Sequence, residues 1–258
     1  TDTEPPNGTD ENGTDPQPNG TDGNDSDPDG NGTDPGGDEP EPEPITSWPM
    51  QQYDARNTGA VPNAAAPTEN VGEIWKKETD AKLRCSPVVA DGTVYVGDRD
   101  GTVYAFDADS GAERWTATVS GSEVVATAAV YDDLLLVPHD GGVQAFHRDG
   151  SGSPWNYPTE KGASDLTVAD DTVVFGDTDE LLISLDAGSG EKHWDHEGFN
   201  GLEQFRDAPA VYRDEIIVHD TESEIAAFDR EDGQKRRLYN RDDLLFQTPV
   251  TVQDDALF

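Results

Sequence analysis

Histidines, one cysteine and many paired acids are the side chains from which this sequence could build reactive chemistry. The five histidines are His139, His147, His193, His196 and His219. His193 and His196 flank Trp194 and Asp195. In a strand, positions i and i+3 face opposite sides, so these two are poorly placed to share a metal. His139 and His219 lie beside turns, and no cysteine pair or His-Glu partner accompanies any of the five, which argues against zinc. Two acidic turns, Asp98-Arg99-Asp100-Gly101 and Asp107-Ala108-Asp109-Ser110-Gly111, open like a calcium loop, but neither has the distal Glu that closes an EF-hand. Turn chemistry accounts for them, since Asp and Ser side chains bond nearby backbone groups. No Ser-His-Asp elbow and no phosphate-cradling glycine loop is present. Cys85 is alone, so no intrachain disulfide can form. The residues therefore point to no catalytic, cofactor-binding or metal-ligating set.

Charge narrows the partners further. The formal net charge is -38 over 258 residues. Residues 1–44 hold 14 Asp or Glu and no Lys or Arg, leaving 41 acidic against 17 basic side chains, or -24, for the rest. No Lys/Arg stripe exists to replace phosphate counterions, so nucleic acid is not an expected partner. Anionic lipid is disfavoured for the same reason. No run of about 18 apolar residues could span a bilayer. Only six of the 17 basic residues are Lys, and the acidic excess resembles that of proteins from extreme halophiles, especially haloarchaea.

Residues 1–44 consist mainly of Asp, Glu, Gly, Pro, Asn and Thr, with no aromatic or aliphatic side chain. Such a segment cannot bury enough apolar surface to offset ordering, and a disordered acidic tail is expected. It carries five Asn-x-Ser/Thr sequons, starting at Asn7, Asn12, Asn19, Asn24 and Asn31, and none follows residue 44. That clustering points to N-glycosylation and extracellular display. The tail resembles the spacer that follows the lipid-modified cysteine of haloarchaeal and bacterial lipoproteins, which implies a lipid anchor upstream of Thr1.

The elements are set out by a column of tryptophans. Trp75, Trp115, Trp155 and Trp194 lie 40, 40 and 39 residues apart, a period that suits one four-stranded propeller blade. Between them, pairs of turn residues separate short apolar runs: Asp91-Gly92, Asp132-Asp133, Asp170-Asp171, Arg213-Asp214 and Asp254-Asp255. Each is a hairpin signal. Third strands are expected over 103–107, 143–147, 182–186 and 225–229, with tryptophans on outer fourth strands, residues 71–79 among them.

After the third strand, Ala105, Asp107, Ser110, Gly111 and Trp115 fit the pattern Ala-x-Asp-x-x-(Ser/Thr)-Gly-x-x-x-Trp. The third repeat keeps Asp186, Ser189, Gly190 and Trp194, with Ser184 in place of Ala. The second has Ala145 and Trp155 but His147 at the Asp position and Ser151 at the Gly position. The fourth keeps Ala227, Asp229 and Gly233, with Arg237 where Trp is expected. This resembles the tryptophan-docking motif of PQQ-type (quinoprotein-like) propellers, in which the ring packs between neighbouring blades and the glycine supplies a positive φ. The lead-in Trp48-Pro49-Met50-Gln51-Gln52-Tyr53-Asp54-Ala55-Arg56-Asn57-Thr58-Gly59 is similar to the opening of many prokaryotic PQQ-like repeat proteins. The resemblance covers residues 46–258.

An all-β propeller of four-stranded antiparallel blades follows, preceded by the tail at 1–44 and an extended lead-in at 45–70. Blade repeats fall at about 80–118, 119–157, 158–197 and 198–240, with a fifth begun at 241–258. Such propellers close with seven or eight blades, so the sequence reads as about half of one. Residues 71–79 would then complete a blade whose other strands lie beyond 258, leaving an open arc.

The resemblance also implies candidate functions. PQQ-dependent dehydrogenases hold a quinone on a tryptophan floor with Ca²⁺ or a lanthanide, a catalytic Asp and a disulfide between adjacent cysteines. Cys85 has no such neighbour, and no catalytic or cofactor residue matches position by position. A non-catalytic cell-surface module for binding or scaffolding, using no cofactor and meeting a protein or cell-surface partner, is the leading expectation. It resembles the propeller lipoprotein of the bacterial outer-membrane assembly machinery in repeat type only. The alternatives are a PQQ-dependent dehydrogenase and the extracellular sensor half of a signalling protein.

Overall fold

The structure is a computed structural model that describes residues 47–62, 64, 71–177, 181–197, 207–219, 224–240, 249–253 and 256–258. The tail, its five sequons and most of the segment at 63–70 lie outside the described residues. The described residues contain no helix, and hence none long and apolar enough to cross a membrane.

Strands follow in groups of four. Blade one comprises β1 (Val88–Ala90), β2 (Thr93–Gly97), β3 (Thr102–Asp107) and β4 (Glu113–Thr118). Blade two has β5 (Ala129–Tyr131), β6 (Leu134–His139), β7 (Gly142–His147) and β8 (Asn156–Pro158). Blade three has β9 (Thr167–Ala169), β10 (Thr172–Gly176), β11 (Leu181–Asp186) and β12 (Lys192–Glu197). Blade four has β13 (Ala210–Tyr212), β14 (Glu215–His219), β15 (Glu224–Asp229) and β16 (Lys235–Asn240), and a hairpin of β17 (Val252–Gln253) and β18 (Ala256–Leu257) follows. Every sheet is an antiparallel meander in sequence order.

The first turn of each blade explains the pairs of turn residues. Asp91, Asp132, Asp170 and Arg213 all take positive φ, between 46° and 57°. Asp tolerates this left-handed geometry better than most residues. Arg213 lacks that advantage, and its guanidinium stacks 4.9 Å from the Tyr212 ring centre.

The core sits between blades. First strands of successive sheets lie against one another and line a common axis. Second and third strands are buried on both faces, so β6 is buried throughout and reads as an unbroken apolar run, whereas β4 alternates with solvent. Each large cluster draws on two sheets: Val88, Tyr95, Val103 and Ala105 of blade one meet Leu135, Val137 and Phe146 of blade two. Blades three and four meet through Val174, Leu182, Trp194, Val211, Ile216 and Phe228.

Residues 71–79 differ from the sequence expectation. They form no strand, because no described strand offers a ladder to pair with, and Val71 and Ile74 stand exposed. Trp155 sits one residue before β8 rather than within it, although its carbonyl still accepts the Ala145 N–H at 3.0 Å.

A body of formal charge -24 repels itself, and salt screens that repulsion. The melting temperature is therefore expected to rise between low salt and molar KCl. Thermal unfolding followed by circular dichroism checks this, and an unchanged midpoint would contradict it.

Candidate functional site

The blade junctions are where the motif residues converge. A backbone bond from the Gly111 N–H to the Asp107 carbonyl (2.8 Å) closes the turn after β3. The Asp107 carboxylate accepts from both the N–H and the hydroxyl of Ser110, at 2.9 and 2.7 Å. Blade three repeats this with Asp186 and Ser189, at 2.7 and 2.8 Å. Asp229 instead takes the N–H groups of Glu231 and Asp232.

Each glycine then lies under the tryptophan one repeat earlier in the sequence. A Cβ placed on Gly111 would fall 2.7 Å from the Trp75 ring, and one on Gly190 or Gly233 would meet Trp155 or Trp194 as closely. Indole N–H groups donate to the carbonyl just after the motif Asp: Trp75 to Ala108 at 2.8 Å and Trp194 to Arg230 at 3.1 Å. Trp115 donates to Arg148 at 2.8 Å, in the blade whose motif looked worn. There the turn is one residue tighter, with the Gly150 N–H bonded to the His147 carbonyl, and Gly150 rather than position 151 seats the ring. Trp155 Nε1 is buried without a partner. The Ser184 hydroxyl, at the position the motif gives to Ala, is likewise buried and unpartnered. An orphaned hydroxyl costs its desolvation, so Ser184→Ala is expected to raise stability by about 1 kcal/mol in urea unfolding, and a loss would refute the orphan reading.

Sequence spacing did not reveal the bulge that precedes Trp115. Ala105 faces Trp115 while Phe106 faces Glu113, so Arg114 is the extra residue. The bulge aims Arg114 back at the turn, bonding Thr93 at 2.6 Å and the Asp107 carboxylate at 2.7 Å. Arg114 and Ser110 together hold the Asp107 carboxyl well below the usual carboxylate range. Arg236 is the matching residue of blade four and pairs with Asp214 and Asp229. Two further arginines clasp blades: Arg148 reaches Asp91 of blade one at 2.6 Å, and Arg230 reaches Asp170 of blade three at 2.8 Å. Between blades two and three Tyr131 serves instead, donating to Asp171, and that bond pushes the phenol up to about 12.

The acidic turns that opened like calcium loops are occupied by their own chain. Asp98 is fully buried, accepting from the N–H groups of Asp100 and Thr102 and the hydroxyl of Tyr104. Among the described residues no three His, Cys, Asp or Glu side chains converge as a cation would require. Burial pushes the Cys85 thiol up, away from a reactive thiolate. His193 is exposed, while His196 lies edge-on to Phe228, with ring centres 5.3 Å apart.

One constellation escaped the sequence reading, because its members lie 17 to 36 residues apart. Ser120 Oγ, His139 Nε2 and Asn156 Oδ1 meet within 3.4 Å of one another. It is not a nucleophile–base pair. His139 Nδ1 accepts the Gly141 N–H at 3.0 Å, so the neutral ring carries its proton on Nε2 and has no lone pair for Ser120. Burial pulls the imidazole pKa down and keeps it neutral.

Four-stranded meanders around one axis, joined by tryptophans on glycine turns, define a β-propeller of the PQQ-repeat type. The chain belongs to the family described as "Outer membrane protein assembly factor BamB", whose model matches residues 64–160 and 153–242. Its fold is similar to that of BamB from Moraxella catarrhalis, with 21% identity and a TM-score of 0.62, covering 71% of this chain and 60% of that one. It is also similar to the quinohemoprotein alcohol dehydrogenase of Comamonas testosteroni, with 17% identity and a TM-score of 0.66, covering 82% and 44%. The computationally designed Ika4 protein, at 16% identity and a TM-score of 0.55, is covered over 99% of its length and matches 62% of this chain. This chain thus spans less than two thirds of the first and under half of the second. No curated protein matches it.

Proposed function

We propose that this chain is a non-catalytic propeller module that binds or scaffolds protein at the cell surface. The observation that carries the reading is the engagement of its chemistry-bearing side chains. The motif carboxylates close turns, the arginines of the motif turns and bulges tie turns and blades together, and the four docking tryptophans lie on neighbouring glycines. Family membership supports it, as does a charge that would keep the surface solvated. The docking motif acts in this reading as the joint that makes a rigid platform, and the partner is a protein. Surface attachment through the tail belongs to the same proposal and rests on the clustered sequons.

The test is dye-linked dehydrogenase activity of the purified full chain with alcohols or sugars, after incubation with PQQ and Ca²⁺. No PQQ-dependent reduction is expected. Robust turnover abolished by chelation would overturn the reading in favour of a quinoprotein.

A further inference from the structure

The lead-in segment belongs to no blade, yet its backbone hydrogen-bonds to four of the five units. Trp48 pairs with Val89 in both directions, at 2.7 and 2.9 Å. The Pro49 carbonyl accepts the Val130 N–H at 2.8 Å, Ala55 that of Val211 at 2.6 Å, and Arg56 that of Val252 at 2.9 Å. These valines are equivalent: each pairs across its sheet with the residue five positions on. Each sits in a first strand, at the sheet's edge, and its N–H points away from the second strand towards the axis. Blade three is met differently, by the buried Met50 side chain packed among residues of blades two and three.

Side chains reinforce this placement. Around the axis, successive blades are linked by Ser86 N–H to Thr127 Oγ1 at 3.2 Å, Thr127 N–H to Asp165 at 2.6 Å, and Thr167 Oγ1 to the Pro209 carbonyl at 2.5 Å. Gln51 joins the series by accepting from Thr127 Oγ1 at 2.8 Å. Between blade four and the last hairpin, Ala208 and Pro249 carry no such side chain. There buried Asn57 donates to the Ala208 and Val250 carbonyls, at 2.9 and 3.1 Å. Asp54 folds the segment for this task, accepting from the N–H groups of Arg56 and Thr58 and from the Thr58 hydroxyl.

We propose that the propeller axis is a groove whose first-strand N–H groups recognise main-chain carbonyls, and that residues 47–59, folded through turns, occupy it in cis as a strap. The strap ties the blades' first strands together and closes the axis to other ligands while seated. Nothing in this inference depends on the scaffold reading, so either can fail alone.

Backbone amide hydrogen exchange on the full chain in molar KCl tests it. In the wild type the Val89, Val130, Val211 and Val252 amides should be protected like those of the second strands. Asn57→Gly keeps the left-handed φ of 56° while deleting the side chain. It should speed exchange at Val211 and Val252 at least tenfold and leave Val89 and Val130 unchanged. A labelled peptide of residues 47–59 should bind this variant saturably, and the wild type at least tenfold more weakly. Wild-type exchange at the four valines as fast as in exposed turns would overturn the proposal, as would unchanged protection in the variant or equal peptide binding to both. Should the variant fail to fold, the wild-type rates decide.

Discussion

Trp194→Ala is expected to produce a large loss of stability, about 3–5 kcal/mol, which lowers the melting temperature by roughly 10 °C in a domain of this size. Trp194 is 8% exposed, lies against Leu182, Val211, Ile216 and Phe228, and donates to the Arg230 carbonyl. Truncation leaves a cavity at the junction of blades three and four and strands that carbonyl. Trp194→Phe should keep most of the packing and lose about 1 kcal/mol for the hydrogen bond. Thermal and urea unfolding in molar KCl measure both. A shift of less than about 2 °C for the alanine variant would mean that the junction is not held by the ring.

The glycine beneath a ring should be as sensitive as the ring itself. Gly190 has a φ of 71°, and any Cβ there would lie 2.7 Å from the Trp155 ring. A β-branched side chain suffers twice, from left-handed backbone strain and from overpacking, so Gly190→Val is expected to cost about 3–5 kcal/mol. Gly72→Ala is the matched control, since that site has open space and no positive φ, and it should be near neutral. Adding Trp155→Ala should relieve the overpacking part of Gly190→Val, so the double variant should be more stable than additivity allows. Strict additivity would show that glycine and ring do not touch in solution.

Local patterns made the blades readable. Hairpin turns need residues that tolerate left-handed φ, and buried strands need apolar runs of fixed length, so Asp91-Gly92, Asp132-Asp133 and their equivalents mark the strand ends in the sequence itself. The third strands appear where they were expected, because a 40-residue unit repeats the same short-range preferences. Motif spacing was a weaker guide where a turn changes length. In blade two the turn tightens by one residue, so Gly150 seats Trp115 although position 151 aligned with the motif glycine. Residues 71–79 carried a strand's composition, but a strand exists only by pairing, and no described neighbour supplies the ladder.

By itself the sequence determined the class of fold, the repeat period and the hairpin-turn positions, since all of these follow from preferences acting over a few neighbouring residues. Tertiary structure alone decided which blade each tryptophan sits on, where the bulge directs Arg114, that Ser120, His139 and Asn156 meet, and that the lead-in lies along the axis. Those features depend on contacts that span 7 to 193 positions of sequence, the longest between Asn57 and Val250. Their energies come from burial and hydrogen bonds that exist only once the blades are assembled, so no local pattern records them.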